Sequence, residues 1–508
     1  MRISRRKDRL PGTIISLILL MVIAAFAVLL IYTRLLPTKY IAIIFLSLLI
    51  FLLVVRLLVL RFRKQVRFWS GTALAVLIIA VLGAGSLYIH RTVSALDTIT
   101  GINTEIAEVN VYVRQEDLAE TMPDVSGYTF GILRDLDRGN TDRALEQIYL
   151  EIGSEIAVTE YDSLTELADS LLNSASGAVI LNRAYLDVLD QMEHYSSFSA
   201  QVREISSKKV ETVVERKEPQ VKTEPNTAEN PAAVKPDEVY TIYISGIDTR
   251  GAMTSSSLSD VNIIATVNLK TKQILLVSTP RDYYVPLSIS NGVPDKLTHA
   301  GIYGVNVCMD TLEMLYGIDI NYYFRLNFAG FIQIIDSLGG VTINSDYDFD
   351  SQNVKGFHFN KGENFVNGEQ ALAFCRERYS FAEGDRQRGR NQMSVIQGVV
   401  NRVMSPELLK NYMAVLNELS GCFEMNIPYE VIASVVRRQL SEGGNWQVLV
   451  YSADGTGDTQ KPYSMSQKAY VMVPDTTTVE KAKILMQKVR EGSMLSEADV
   501  AAHAAESE

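Results

Sequence analysis

Cysteine is scarce. Cys308, Cys375 and Cys422 are the only three in 508 residues, and each stands among apolar neighbours. That excludes a disulfide framework and a cysteine-based zinc site, and it reads as buried free thiol. An excess of positive charge is also missing. Lys and Arg number 48 against 59 Asp and Glu, a net charge of −11, which argues against bulk nucleic-acid binding. Residues 97–214 lack paired carboxylates, a histidine cluster and a glycine-rich phosphate loop. They read as an accessory domain, either a spacer or a recognition module for a partner or a sugar. Residues 215–238 lack large apolar side chains and are rich in Pro, Glu, Lys and Asn, the composition of an extended linker.

What the chain has in abundance, at its start, is apolar length. Three runs, over 11–33, 40–60 and 68–89, are long enough to cross a bilayer, which takes about 20 residues. Arg56 interrupts the second and is expected to snorkel to the interface. The first run is too long, and followed by too many others, for a cleaved signal peptide. Arg2, Arg5, Arg6, Lys7 and Arg9 precede it, and Arg61, Arg63, Lys64 and Arg67 sit between the second and third runs. The positive-inside rule then predicts a multi-pass cell-membrane protein with a cytoplasmic N-terminus and everything after residue 90 outside.

The soluble part reads as α/β throughout. In 97–214, the stretches YTFGILRDL and GAVILN alternate with a helix over 140–153, capped by Asn140, and predict a small parallel sheet. A larger domain is expected over 239–489, with a central mixed sheet. It opens on the strands VYTIYISGID, SDVNIIATVNLK and QILLVSTPRDYYV. The tail, 490–508, is acidic and small-residue rich and is predicted to be disordered.

The charged residues of this domain collect at predicted strand ends. Asp248 follows the first strand, Asp260 opens the second and Arg281 follows the third. If the first two strands run parallel, both aspartates meet at one mouth, where two carboxylates suit Mg²⁺ or Mn²⁺ beside phosphate oxygens. The segment RERYSFAEGDRQRGRNQ, residues 376–392, holds five arginines. Read as a strand, FCRER puts Arg376 and Arg378 on one face, and Arg388 and Gln392 share a face of the helix that follows. Asp385 precedes that helix as a cap or a base. Converging guanidinium groups suit pyrophosphate, because the planar fork bonds phosphate oxygens in pairs. The bland alternative is a solvated loop of local ion pairs, and Arg386 and Arg390 fit it. Lys296 is a further phosphate candidate, His299 is read as structural, and NYYFRLNFAGF as core. The helices FAGFIQIIDSL and VIQGVVNRVM have enough apolar residues to line a lipid slot.

These motifs together resemble the LytR–CpsA–Psr family. YISGIDTR, SDVNIIATV, LVSTPRDYYV, DKLTHAGIYG, DSLGGVTI, FVNGEQALAFCRERYS and GDRQRGRNQ occur in the family's order over about half the chain. The three apolar runs and the accessory domain resemble its capsule-associated, CpsA-like branch. The resemblance implies a phosphotransferase that moves a glycopolymer, in this branch capsular polysaccharide, from a polyprenyl-pyrophosphate carrier to a peptidoglycan acceptor. It implies Mg²⁺ held by Asp248 and Asp260, and phosphate contacts by Arg281, Arg376, Arg378, Arg388 and Gln392. Asp385, Arg388 and Gln392 reproduce a D-x-x-R-x-x-x-Q pattern, while Asn391 stands where many relatives have a second Gln. Capsule-synthesis proteins are possible partners. The general base stays open between Asp385 and a metal-site aspartate. A polyprenyl-pyrophosphate phosphatase and a non-enzymatic lipid-binding regulator are the alternatives.

Overall fold

The computed structural model describes residues 10–33, 38–60, 65–100, 104–213, 238–247, 257–382, 384–405 and 421–501. They divide into two compact units. The first holds three helices, α1 (Leu10–Thr33), α2 (Thr38–Leu60) and α3 (Gln65–Thr100), each long and apolar enough to cross a membrane. At 1.5 Å per residue, the 23 residues of α2 extend about 34 Å, slightly more than a bilayer's hydrocarbon core. Leu19, Ile23, Val55, Val59, Ala75 and Leu82 form the buried seam. Gly12 and Gly71 let α1 and α3 close on α2, since a Cβ at either would lie 2.7 Å from a Val59 methyl. Small residues at such crossings supply the packing that lipid-immersed helices depend on. Helix α3 continues past the expected end at residue 89.

The same unit contains residues 427–444, which interrupt the span expected over 239–489. Their helix, Tyr429–Glu442, packs on the α1–α2 end of the bundle. Tyr429 donates to the Thr33 carbonyl at 2.7 Å, and the Lys39 ammonium donates to the Ser441 carbonyl at 2.9 Å.

The second unit begins with the accessory domain. Its elements are β1 (Thr104–Arg114), β2 (Thr129–Leu133), α4 (Arg138–Ile152), β3 (Ala157–Tyr161), α5 (Leu164–Leu172), β4 (Ala178–Asn182), α6 (Ala184–Asp190) and β5 (Val202–Val213). The sheet order is β3-β2-β4-β1-β5. It is mixed, not parallel as expected: β2 pairs in parallel with β3 and β4, but β1 pairs antiparallel with β4 and β5. The long β1–β5 pair, Thr104 opposite Val213, closes the domain by joining its two ends. Asp137, in the left-handed region at φ 53°, takes the cap position of α4, and Asn140 donates to its side chain at 2.7 Å. The expected linker lies outside the described residues except for Glu238.

The larger domain is built on β6 (Val239–Ile247), β7 (Ser259–Asn268), β8 (Gln273–Thr279), β9 (Tyr322–Asn327), β10 (Phe423–Met425) and β11 (Gln447–Ser452), in the order β10-β9-β6-β7-β8-β11. Helices α7 (Val305–Tyr316), α8 (Phe328–Ser337), α9 (Gly368–Arg376), α10 (Asp385–Val403), α11 (Thr476–Arg490) and α12 (Glu497–Ala501) accompany it. Strands β6 and β7 are antiparallel, against the expected parallel pair. The reason is length: residues 248–258 are too few for the crossover a parallel pair needs, a dozen or more. The tail expected to be disordered from residue 490 is folded as far as Ala501. Leu495 is buried, its carbonyl accepting from the fully buried Gln273 amide at 2.7 Å and its N–H donating back at 3.1 Å. All three cysteines are buried and free.

The two domains of this unit share a core. Leu258, Ile302 and Met465 of the larger one pack with Leu164, Leu167, Tyr185 and Leu189 of the smaller.

Candidate active site

The antiparallel turn of β6 into β7 brings the end of one strand and the start of the next to the same edge. Ile247 stands opposite Ser259, next to Asp260. Beneath this edge lies a buried polar network. Tyr243 donates to Asn262 at 2.7 Å, and the Ser259 hydroxyl lies 2.8 Å from that of Ser245. A satisfied network of this kind in a low-dielectric interior fixes the backbone it holds.

Arg281 follows β8 and reaches back to Asp260, Nη1 to Oδ1 at 2.6 Å. Its Nε lies 3.7 Å from Asp282, whose other carboxylate oxygen is 3.2 Å from the Lys296 ammonium. Lys296 is therefore held on Asp282, and it is not among the residues that line the two cavities at this edge. The rest of DKLTHAG is a knot that supports the edge. Asp295 accepts from the Lys296 and Ser464 N–H groups and lies 2.7 Å from His299 Nδ1, with both side chains wholly buried. Thr298 donates to Asp260 at 3.4 Å. Gly301 passes under the segment before Asp260, where a Cβ would lie 2.2 Å from the Ser257 carbonyl.

The arginine segment is not a strand at its start. ALAFCR belongs to α9, whose cap, Asn367, forms a reciprocal capping box with Gln370. Arg376 is the last residue of that helix, and Arg378 follows one extended residue, Glu377. The shared strand face expected for the two arginines does not exist. What aims them instead is Glu377, which is fully buried. One of its oxygens accepts from Ser351 Oγ at 3.0 Å and from the N–H groups of Gln352 and Asn353 at 2.6 and 3.1 Å. The other accepts from the N–H groups of Arg378, Tyr379 and Ser380 at 3.0, 2.9 and 3.1 Å. Burial pushes the carboxyl up, but these donors outweigh it and hold it below the usual range. The Arg376 guanidinium lies 4.6 Å from the Phe328 ring centre, and that of Arg378 lies 4.7 Å from the Tyr379 ring.

Helix α10 begins at Asp385, with Gly384 in the cap position. Asp385 is thus inside the helix and not its cap, and its side chain lies outside the described residues. Arg386 pairs with Asp454 at 2.9 Å, while Arg390 donates to Gln387 at 2.9 Å and lies 3.6 Å from Asp346. Asn391 is buried and donates to the Phe374 carbonyl at 3.1 Å, tying α10 to α9.

Two cavities meet at one wall made of Asp260, Arg281, Arg388 and Gln392. The first, about 810 Å³, also takes in Arg376 and Arg378 and then continues between α8 and α10. There it is lined by Phe328, Phe331, Ile334 and Ile335 on one face of α8, and by Ile396, Val399 and Val400 on α10. The second, about 630 Å³, is bordered by Arg386, Arg390, Asp454, Asp475 and Glu497. Along the cavity-facing side of α10 the chemistry changes from guanidinium at 388 to amide at 392 to aliphatic at 396, 399 and 400. Those thirteen residues, twelve steps of the helix, cover about 18 Å. The cavity fits an amphiphile with a polyanionic head and an apolar tail.

Asp248, the second expected metal ligand, lies outside the described residues. Among the described residues no group of three or more acidic, histidine or cysteine side chains could cage a metal. Asp260 nevertheless fits a magnesium site of the open kind, in which one or two carboxylates share the ion with waters and phosphate oxygens.

The LytR_cpsA_psr family model matches residues 197–487. The polyisoprenyl-teichoic acid–peptidoglycan teichoic acid transferase TagU of Enterococcus faecalis is 33% identical over 225 residues, 44% of this chain and 72% of the relative. The protein of the same name from Bacillus licheniformis is 36% identical over 164 residues, 32% of this chain and 52% of the relative. The crystal structure of B. subtilis TagV superposes with a TM-score of 0.43 at 25% identity, covering 51% of this chain and 99% of that one.

Proposed function

Because the chain belongs to the LytR–CpsA–Psr family, we propose that it is a membrane-anchored phosphotransferase that moves a glycopolymer from a polyprenyl-pyrophosphate carrier to peptidoglycan at the outer membrane face. The observation that carries this reading is the graded wall of the larger cavity, four arginines at one end and α8 and α10 aliphatics at the other. A pyrophosphate fits the arginine end and a polyprenyl tail the aliphatic end. The polymer proposed is capsular polysaccharide, on the resemblance of the accessory domain and three spans to the capsule-associated branch. The relatives' names carry teichoic acid, so both donors belong in the test.

In the proposed reaction a sugar hydroxyl of peptidoglycan attacks the phosphorus that bears the glycopolymer. An O–P bond forms there, the bridging P–O bond breaks, and polyprenyl phosphate leaves. We assign the acceptor to the 630 Å³ cavity, which opens on the same Asp260, Arg281, Arg388 and Gln392. The arginines hold the pyrophosphate and stabilise the charge that grows on the leaving phosphate. Asp385 or a metal-site aspartate takes the hydroxyl proton. Asp260 with Asp248 would hold Mg²⁺, which when bound would supply neutralisation of the pyrophosphate charge.

The test is transfer by the full-length protein in lipid nanodiscs, with labelled donor, peptidoglycan and Mg²⁺. Label appearing in peptidoglycan supports the reading. Release of free polymer phosphate regardless of acceptor would instead identify a phosphatase, and donor binding without turnover a lipid-binding regulator.

A further inference from the structure

We propose that the accessory domain completes the donor site, with α6 and its C-cap residue presenting Asp187, Asp190 and Gln191 to the sugar hydroxyls of the carrier-proximal glycan. This rests on the donor assignment above and names the part of the donor that a second domain reads.

All three residues line the same 810 Å³ cavity as Arg281, Arg376, Arg378 and Arg388. Their spacing, i, i+3 and i+4, puts them on one side of the helix. The other side carries Tyr185, Val188 and Leu189, which are buried in the core the two domains share. The Asp190 carboxylate also accepts from the Ser199 N–H at 3.1 Å, which orients it.

The position of α6 is fixed by charged and polar contacts between the domains. Glu105, on β1, accepts from the Val305 N–H at 2.6 Å and from Arg325 Nη1 at 3.2 Å. Arg325 is fully buried, so this pair is a costly one that only good geometry sustains. Gly304, at φ +106°, makes room for it, since a Cβ there would lie 2.2 Å from Glu105 Oε2. Tyr185 donates to Tyr303 at 2.9 Å, and Thr165 hydrogen-bonds Ser466.

Charge decides what α6 faces. Carboxylates repel pyrophosphate, so Asp187 and Asp190 suit the neutral, hydroxyl-rich part of the donor, to which a carboxylate makes charge-assisted hydrogen bonds. Helix α6 also precedes the residues the family model matches, which begin at 197. Its side chains are placed to choose the donor while the matched part performs the chemistry.

The experiment measures binding of two probes to the full-length protein in nanodiscs: polyprenyl pyrophosphate alone, and the same lipid bearing one sugar. In the double variant Asp187→Ala/Asp190→Ala, affinity for the sugar-bearing lipid is expected to fall roughly tenfold and that for the bare lipid to stay within about twofold. The double variant Asp187→Asn/Asp190→Asn, which keeps hydrogen-bonding groups but loses the charge assistance, is expected to fall between wild type and the alanine variant for the sugar-bearing lipid. Equal changes for both probes would show that the carboxylates only offset arginine charge and would overturn the proposal, as would no change for either. Wild-type protein that discriminates the probes but never labels peptidoglycan would refute the transferase reading and leave this one standing.

Discussion

Glu377→Gln is the most informative single substitution. In the native turn each carboxylate oxygen accepts three hydrogen bonds, one set from residues 351–353 and the other from 378–380. A carboxamide keeps one acceptor oxygen and turns an NH₂ toward the other three donors. A hydrogen bond to a charged group is worth about 1.5–3 kcal/mol. Water and loop relaxation recover part of the loss, so the expected destabilisation is about 3–5 kcal/mol, read by urea denaturation. The sign of the pH dependence follows from the depressed carboxyl. Its contribution is fully present above the unfolded value of about 4.3 and is lost as pH falls through the folded value. The wild-type protein should therefore lose stability on acidification over that window more steeply than the variant. The turn also aims Arg376 and Arg378, and a misplacement of about 1 Å costs about 100-fold in rate. The transfer rate should drop by that order in Glu377→Gln, but by much less when the substitution is made on Arg376→Ala/Arg378→Ala. A full additive loss in that background would refute the positioning role, and wild-type stability in Glu377→Gln would refute the hydrogen-bond argument itself.

Other perturbations test neighbouring parts of the same reasoning. Arg281→Lys keeps the charge beside Asp260 but loses the fork, and transfer is expected to fall at least about tenfold with the denaturation midpoint unchanged. Ile396→Trp fills the apolar part of the larger cavity. It should weaken binding of a long polyprenyl pyrophosphate, with little effect on a donor truncated to one or two isoprene units, as read by titration of both. Gly304→Ala places a Cβ against the Glu105 carboxylate at a positive φ. It should lower the melting temperature by several degrees, whereas Gly356→Ala, at a positive φ with open space around it, should cost less.

Much of the site was legible because its residues sit where chain direction alone places them. Asp260 opens a strand, Arg281 follows one, and Arg388 and Gln392 repeat with the helical period, so no tertiary knowledge is needed to group them. The antiparallel pairing of β6 and β7 differs from the parallel pair expected, yet the sequence carries its signal: the segment between them is too short for a crossover. The strand drawn through FCRER was also avoidable, because Asn367 followed by Gln370 is a capping signature ahead of an apolar run. Glu377 was a different kind of omission. Its donors come from residues 351–353 and 378–380, two loops that only the folded chain brings together. The accessory residues of α6 were illegible for the same reason, since their relevance depends on a shared core and on Glu105, which lies 220 positions from Arg325.

The five arginines of residues 376–392 show why the bland and the functional readings of a charge run need not compete. Arg386 and Arg390 are held by Asp454, Gln387 and Asp346, as a solvated loop of local pairs would have them. Arg376 and Arg378 lie on aromatic rings, which steady a guanidinium without neutralising it. Arg388 faces both cavities. The acidic residues interleaved with the arginines likewise divide by role. Glu377 accepts from six donors, all from loops and none from a guanidinium, so neither neighbouring arginine is tied to it by an ion pair. An acid between two arginines in sequence would ordinarily be read as their counter-ion. Here its burial turns it away from them, and both guanidinium groups remain available to the cavity they line.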